Sequence, residues 1–137
     1  MKKNGTLNAQ LSRIIAQMGH GDRLVICDSG LPIPRGSEIV DLALTKGIPG
    51  FIDTLKVVLE ELQVEAAVVA TELATANKVN HRALRQALES AGVTNVKDVP
   101  HDEFKAMTSG GGNIAFVRTG EATPYANVLL IGGVAFD

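Results

Sequence analysis

The sequence predicts an α/β protein, a layered fold in which helices flank a largely parallel central sheet. Patterns of helical and strand type alternate along the chain, and the strand-like segments are short and continuously apolar. Strands that are apolar on both faces are typical of a sheet covered by helices on each side. The 137 residues, of which 45% are hydrophobic, contain no linker and no internal repeat, so we expect one domain over residues 1–137.

Three segments carry apolar residues at every third or fourth position, the spacing of an amphipathic helix, and a fourth, short helix is expected after Pro100. In the first of them, Asn8 is a suitable N-cap and Gly19 is a suitable residue just beyond the C-terminus. Pro49 suits the first turn of the second. The predicted helices are residues 8–18, 51–62, 79–91 and 101–107.

Six further segments have the apolar, β-branched character of strands. The segment 39–44 is ambiguous, with a strand favoured, and 93–99 is predicted to lie at an edge of the sheet. Two prolines in residues 29–36 predict a stiff loop, since proline fixes φ and lacks an N–H donor. A glycine-rich turn is predicted at 109–112. The predicted strands are residues 23–28, 39–44, 64–70, 93–99, 114–118 and 127–134.

Composition and charge exclude several classes of protein. The 13 Lys and Arg and 15 Asp and Glu give a net charge of −2, and the basic residues are scattered, so we expect no nucleic-acid partner. No apolar run approaches the ~18 residues of a membrane-spanning helix, and the basic start leads into an amphipathic stretch, unlike a signal peptide. We therefore expect a soluble, cytoplasmic protein with no membrane partner.

The familiar cofactor and metal motifs are missing from the sequence. It contains no GxGxxG, no GxxxxGKS/T and no GxSxG pattern. Cys27 alone cannot form an internal disulfide, and the histidines at 20, 81 and 101 share no metal-ligand spacing. We expect neither a metal nor an organic cofactor.

The first candidate site residue is His20, which lies between two glycines at the junction of the first helix and the first strand. The glycines leave the imidazole uncrowded, and histidine is the side chain best suited to transfer a proton near neutral pH. The alternative is a helix C-cap, with His20 beside the negative end of the helix.

The second candidate is Asp28, which follows the first strand directly. Ligands of parallel α/β sheets bind beyond the carboxyl ends of the strands, so an acid at this position is a reasonable site residue. The alternative is an aspartate that caps the next turn. Cys27, one position earlier, is expected to be a buried small apolar residue and not a nucleophile.

Two later segments are also candidates. His101 and Lys105 are four residues apart and share a helix face, where two donors could hold the hydroxyls of a polar ligand. The alternative is a solvated face. The loop of residues 120–127 contains Tyr125 and Asn127, whose amide both donates and accepts hydrogen bonds. The alternative is that this loop is only a turn leading into the last strand, with Tyr125 as a space-filling aromatic residue.

Together these segments resemble the RbsD/FucU family of sugar-ring isomerases. The residues that carry the resemblance are MGHGD (18–22), CDSGLPIP (27–34), VEAA (64–67) and PYANVLL (124–130), in this order over essentially the whole chain. The family has a ribose branch, the D-ribose pyranases, and a fucose branch, the L-fucose mutarotases. The stretches GLPIP and PYAN resemble the ribose branch.

The resemblance implies an isomerase that interconverts β-D-ribopyranose and β-D-ribofuranose and so feeds ribose utilisation. It implies that His20 is the catalytic acid. The substrate contacts that it implies are Asp28, His101, Lys105, Tyr125, Ala126 and Asn127. It also implies a homodecamer of two stacked five-membered rings, with sites between neighbouring subunits.

These side chains suit the opening of a sugar ring, which needs a proton delivered to the ring oxygen and another removed from the anomeric hydroxyl. No electrons are transferred, so no redox cofactor is required. His20 can supply the proton, while Asp28 or His101 is either the opposing base or a residue that only orients the sugar hydroxyls. Two alternatives remain open: exchange of L-fucose anomers, and a non-catalytic sugar-binding regulatory module that uses the same pocket.

Overall fold

The computed structural model describes residues 1–109 and 111–136, in which six strands form one sheet accompanied by five helices. The strands are β1 (Arg23–Cys27), β2 (Glu38–Asp41), β3 (Val64–Ala70), β4 (Val96–Val99), β5 (Ile114–Arg118) and β6 (Val128–Gly132). The helices are α1 (Ala9–Gln17), α2 (Phe51–Glu61), α3 (Leu73–Ala76), α4 (Lys78–Ser90) and α5 (His101–Met107). None of the helices in the described ranges combines the length and the hydropathy that crossing a bilayer requires.

The strand order is β2-β5-β1-β6-β3-β4. The pairs β1–β5, β2–β5 and β3–β4 are parallel, whereas β6 is antiparallel to both of its neighbours, β1 and β3. Five strands therefore run in one direction and β6 alone runs in the other. The predicted α/β fold with a largely parallel sheet is confirmed, and β4 lies at an edge of the sheet as expected.

Most elements begin and end within three residues of their predicted bounds. β2 ends earlier than the predicted 39–44 because the Asp41 carboxylate accepts a hydrogen bond from Ala43 N at 3.1 Å, which turns the chain away from the strand direction. Helix α3 was not predicted, since four residues are too few for a helical pattern to show. Of the predicted turn at 109–112, residue 110 lies outside the described residues.

The strands are continuously apolar because both faces of the sheet are buried. Leu24 and Ile26 of β1 pack in a cluster with α1, α2 and α4, whereas Val25 and Cys27 pack on the other face with Phe104 of α5. Burial raises the pKa of the Cys27 thiol to about 12. This confirms the interpretation of Cys27 as a buried apolar residue, because a thiol at neutral pH is a poor nucleophile.

The direction of the strands gives the sheet two chemically different ends. The carboxyl ends of β1 to β5 and the start of β6 lie at one end, which we call the carboxyl edge. The starts of those five strands and the end of β6 lie at the other, which we call the amino edge. Loops that precede β1 and loops that follow it are therefore separated by the length of the strand.

Gly120 joins the loop before β6 to the turn at residues 45–48. Its N–H donates to the Pro49 carbonyl at 2.9 Å, and its own carbonyl accepts a hydrogen bond from Gly47 N at 2.5 Å. A Cβ at this position would lie 2.5 Å from the Thr45 carbonyl oxygen and would also overlap the Ile48 carbonyl. Only glycine allows the two backbone segments to approach this closely.

Substitution of Gly120 with alanine should therefore destabilise the protein, by about 1–3 kcal/mol, the usual cost of overpacking. Gly111→Ala is the matched control, because a Cβ at Gly111 meets no atom within 4 Å and the backbone there is not left-handed. Urea unfolding of the two variants at equal protein concentration measures the difference. Equal stability of the variants would show that the turn at 45–48 moves aside without cost.

Candidate functional site

A small cavity lies at the carboxyl edge, where β1 ends and β6 begins. Its volume is about 210 Å³, and its lining residues are Asp28, Gly30, Leu31, Pro32, His101, Tyr125 and Asn127. Four of these are residues that the sequence indicates as ligand contacts. The other three belong to the stiff proline-containing loop that follows β1, which forms one wall of the cavity.

Asp28 and Asn127 meet because β1 and β6 are antiparallel neighbours, so the end of one lies beside the start of the other. The Asp28 backbone N–H donates to Asn127 Oδ1 at 2.9 Å, and Asp28 Oδ1 accepts a hydrogen bond from Gly30 N at 2.9 Å. Burial raises the pKa of the Asp28 carboxyl, although N–H groups of Gly30 and Leu31 partly offset this effect. Asp28 therefore combines a hydrogen-bond acceptor with an increased tendency to hold a proton.

The Asn127 side chain offers an unused donor at the cavity. Asn127 is 1% exposed, and its Nδ2 atom has no hydrogen-bond partner among the described residues. A buried donor without a partner costs about 1–3 kcal/mol. A ligand oxygen in the cavity would remove that cost.

His101 begins α5 and reaches the cavity from the end of β4. Its ring meets the Tyr125 ring edge-on, with centroids 5.0 Å apart and planes at 79°. Its Nδ1 atom is buried and, like Asn127 Nδ2, has no partner among the described residues. The backbone N–H of His101 donates to both carboxylate oxygens of Glu72, at 3.0 and 3.1 Å, which fixes the start of α5.

Tyr125 occupies a strained backbone conformation at the cavity. Its φ is 59°, in the left-handed region, which costs an L-residue of this size about 1–2 kcal/mol. The conformation lets the Tyr125 carbonyl accept a hydrogen bond from Asn127 N at 2.9 Å. Ala126, between them, is fully buried in the core and does not line the cavity, although the sequence indicates the whole segment 125–127.

Two glutamates that the sequence analysis did not single out hold the cavity loops. Glu72 positions His101, as described above. The Glu121 carboxylate accepts a hydrogen bond from Phe51 N at the start of α2, and its carbonyl accepts from both the N–H and the hydroxyl of Ser29. Glu72 lies two residues beyond the end of β3, so the rule that identified Asp28 would also have found it.

Lys105 does not reach the cavity. It is one turn beyond His101 on α5, its side chain is 41% exposed, and its Nζ lies 3.4 Å from Asp102 Oδ1. Lys105 is absent from the cavity lining. Within one protomer, His101 therefore lines the cavity and Lys105 does not.

His20 lies at the amino edge, on a turn that holds its backbone firmly. Asp22 N donates to the Gly19 carbonyl at 3.1 Å, and Asp22 Oδ2 accepts a hydrogen bond from Gly19 N at 2.8 Å. Two more hydrogen bonds tie the turn to Gly132 at the end of β6, through Gly21 N at 2.9 Å and the Asp22 carbonyl at 2.8 Å. The imidazole itself is 61% exposed, and its Nε2 lies 2.8 Å from Glu65 Oε2.

The turn and the cavity cannot meet within one chain. His20 precedes β1 and Asp28 follows it, so the six residue steps from Asp22 to Asp28 separate them by roughly 20 Å at ~3.3 Å per residue. The structure brings together Asp28, His101, Tyr125 and Asn127, and leaves His20 at the other end of the sheet. Across the described residues, no group of three or more His, Cys, Asp or Glu side chains is arranged to hold a metal ion.

Comparison with a protein-family model identifies the relatives of this chain. The model described as the RbsD / FucU transport protein family matches residues 1–135. The chain belongs to this family. Other members are similar over nearly the full length: the D-ribose pyranase of Laribacter hongkongensis is 52% identical over 136 residues, which cover 99% of this chain and 100% of the relative. The D-ribose pyranase of Vibrio campbellii is 48% identical over 141 residues, which cover 99% of this chain and 100% of that relative.

Solved structures of the RbsD / FucU family have the same fold. Bacillus subtilis RbsD, solved in complex with D-ribose, superimposes with a TM-score of 0.89 at 42% identity, covering 99% of this chain and 100% of that one. The fucose mutarotase of Streptococcus pneumoniae, solved with L-fucose, has a TM-score of 0.79 at 20% identity, covering 99% and 100%. The similarity to the fucose mutarotase is one of fold alone, whereas the similarity to Bacillus subtilis RbsD extends to the sequence.

Replacing the aspartate at each end of β1 with asparagine should change stability in opposite directions. The raised pKa of Asp28 means that the folded state loses stability as the pH rises above about 3.9, the ordinary value for aspartate. Asp28→Asn should therefore be more stable than the wild type at pH 7, and the two should converge in acid.

Asp22 is the matched control, because hydrogen bonds from Gly19 N and Asn113 Nδ2 lower the pKa of its carboxyl. Its carboxylate stabilises the folded state above the ordinary pKa, and that stabilisation is lost as the pH falls through the lowered value. Asp22→Asn should be less stable at pH 7. Urea unfolding at pH 7 and near pH 4 measures both variants, and a loss of stability in both would contradict the role given to Asp28 burial.

Proposed function

We propose that this protein interconverts β-D-ribopyranose and β-D-ribofuranose by opening and reclosing the sugar ring. The observation that carries the proposal is the 42% identity and near-complete superposition with a chain solved with D-ribose bound. Relatives about half identical over their full length are D-ribose pyranases, which gives the same reaction. A cytoplasmic location is part of the proposal, and the free thiol of Cys27 fits a reducing compartment.

The cavity at the carboxyl edge supplies groups that can hold a polyhydroxylated ring. Asp28 accepts hydrogen bonds, Asn127 Nδ2 donates one, and the unpartnered Nδ1 of His101 adds a third polar contact. Each of these groups is fixed by the backbone hydrogen bonds described above. A sugar would therefore meet a largely preformed set of partners, which reduces the entropy lost on binding.

The reaction itself requires proton transfers at two oxygens. One proton must reach the ring oxygen as its bond to the anomeric carbon breaks, and the anomeric hydroxyl must lose a proton as the aldehyde forms. The open-chain sugar then rotates about its carbon–carbon bonds, and a different hydroxyl of the sugar attacks the aldehyde to close the new ring. In this proposal His20 delivers the proton to the ring oxygen, and Asp28 or His101 accepts the proton from the anomeric hydroxyl.

His20 would act on a sugar held by another copy of the chain. The support is geometric: His20 is exposed on a firm turn at the amino edge, while the cavity of its own chain is at the carboxyl edge. Contact between the amino edge of one copy and the carboxyl edge of the next would bring the two together. Such contacts join two different surfaces, so repetition builds a ring if the rotation closes. We propose the homodecamer of two five-membered rings implied by the family resemblance.

Saturation-transfer NMR on D-ribose tests the activity. Micromolar wild-type protein should transfer saturation between the pyranose and furanose signals well above the rate of ribose alone. His20→Ala should lose about 100-fold or more of the acceleration, the range of a general acid, while keeping its circular dichroism spectrum.

L-fucose in the same measurement separates the branches of the family. Acceleration of L-fucose anomer exchange without any effect on D-ribose would assign the protein to the mutarotase reaction. Ribose binding by the wild type without acceleration of either exchange would indicate a binding module.

Mixed oligomers test whether His20 and Asp28 belong to one site built from two chains. His20→Ala and Asp28→Asn are each expected to be inactive. After reversible dissociation and mixing at equal amounts, about a quarter of the head-to-tail interfaces would unite an intact His20 turn with an intact cavity. Activity should return to a comparable fraction of wild type, and light scattering should give a mass ten times that of one chain. Continued inactivity of the mixture would show that His20 and Asp28 do not complete each other across an interface.

A further inference from the structure

Glu65 is placed at the amino edge by an irregularity in β3. In the pairing of β3 with β6, Val64 lies opposite Gly132 and Ala66 lies opposite Ile131, so that two steps on β3 match one on β6. Glu65 is the extra residue of a β-bulge. Bulges change the direction in which a side chain points and occur often beside active sites.

Two consecutive glycines at the end of β6 make room for this arrangement. A Cβ at Gly133 would lie 3.1 Å from Glu65 Cβ and 3.3 Å from Glu65 N, which is tighter than ordinary packing. A Cβ at Gly132 would lie 3.0 Å from the Gly19 carbonyl oxygen of the His20 turn. The same short segment thus allows both the bulge that carries Glu65 and the turn that carries His20 to approach.

We propose that Glu65 is a positioning residue for His20, which it holds in the form protonated at Nε2, so that Nδ1 exchanges the proton with the sugar. This inference rests on the proposed function. An ionised carboxylate can only accept hydrogen bonds, so the 2.8 Å contact between Glu65 Oε2 and His20 Nε2 requires the proton on Nε2. The hydrogen bond made by one ring nitrogen determines which form the other takes. Nδ1 is then the nitrogen left free to give and take a proton.

An ordinary exposed ion pair is the competing explanation of the contact. His20 and Glu65 are 61% and 45% exposed, and pairs at that exposure contribute little to stability. Such a pair would not need a bulge, two tightly packed glycines and a turn fixed by four hydrogen bonds. The exposure also means that removal of the Glu65 carboxylate should leave the fold intact.

Glu65→Ala and Glu65→Gln separate the two explanations. In the ribose exchange measurement, Glu65→Ala should lower kcat by about tenfold or more, and by less than His20→Ala does, with KM for ribose nearly unchanged. The KM should hold because Glu65 contacts His20 and is not among the residues that line the cavity. Glu65→Gln can still accept the Nε2 proton through its amide oxygen, so its kcat should lie between those of the wild type and Glu65→Ala.

Asp98→Ala is the matched control, since it removes another exposed ion pair, between Asp98 and Arg85, from the neighbouring strand β4. It should retain wild-type kcat. If Glu65→Ala also retains wild-type kcat, or if KM rises while kcat holds, the positioning role is wrong.

Which ring nitrogen of His20 carries the proton can be measured without an activity assay. Nitrogen-15 NMR of the labelled protein should show the Nε2-protonated form of His20 in the wild type and a mixture of both forms in Glu65→Ala. An unchanged ring form in Glu65→Ala would overturn the inference. If the wild type fails to accelerate ribose exchange, the proposed function fails, but this spectrum still decides whether Glu65 fixes the imidazole.

Discussion

The pairing of β6 with β1 is the interaction on which both halves of the candidate site depend. At the start of β6, Asn127 accepts a hydrogen bond from Asp28 N and so forms one side of the cavity. At its end, Gly132 is bonded to the turn that carries His20. Ile26 lies opposite Val128 and Arg23 lies opposite Ile131. This register determines both the contact of Asn127 with Asp28 and the contact of Gly132 with the His20 turn. A slip of one residue would turn buried side chains to the wrong face and would part Asn127 from Asp28.

The cavity is also where the protein departs from the most stable arrangement of its groups. Burial raises the pKa of Asp28, Tyr125 has a left-handed backbone, and two buried nitrogens, His101 Nδ1 and Asn127 Nδ2, have no partner within the described ranges. Each of these features costs free energy in the folded chain, and such costs tend to concentrate where ligands bind. At the amino edge the reverse holds, since four hydrogen bonds fix the His20 turn and the imidazole is exposed. Under the proposed function, the cavity binds the sugar and the exposed imidazole reaches the sugar held by another copy.

The sequence predicted the layers of the fold well because buried strands and amphipathic helices have strong periodic patterns. It could not predict the direction of β6, since a strand buried on both faces is apolar throughout whether it is parallel or antiparallel. The position directly after β1 indicates Asp28 from the sequence alone, and Glu72 has a similar position, two residues after β3. The separation of His20 from Asp28 was already implicit in the order of elements, because β1 lies between them. The bulge at Glu65 has no sequence signal, since it arises from register against a partner strand.

Under the proposed function, this separation makes catalysis a property of the assembly. Each chain carries a cavity at one edge and a proton donor at the other, so each copy would complete the site of one neighbour and depend on a second. An open row of copies would leave a cavity without a donor at one end and a donor without a cavity at the other. A closed ring leaves neither, because every carboxyl edge meets an amino edge. The placement of the two groups beyond opposite ends of β1 therefore favours closed assemblies over open chains, and it couples the loss of assembly directly to the loss of activity.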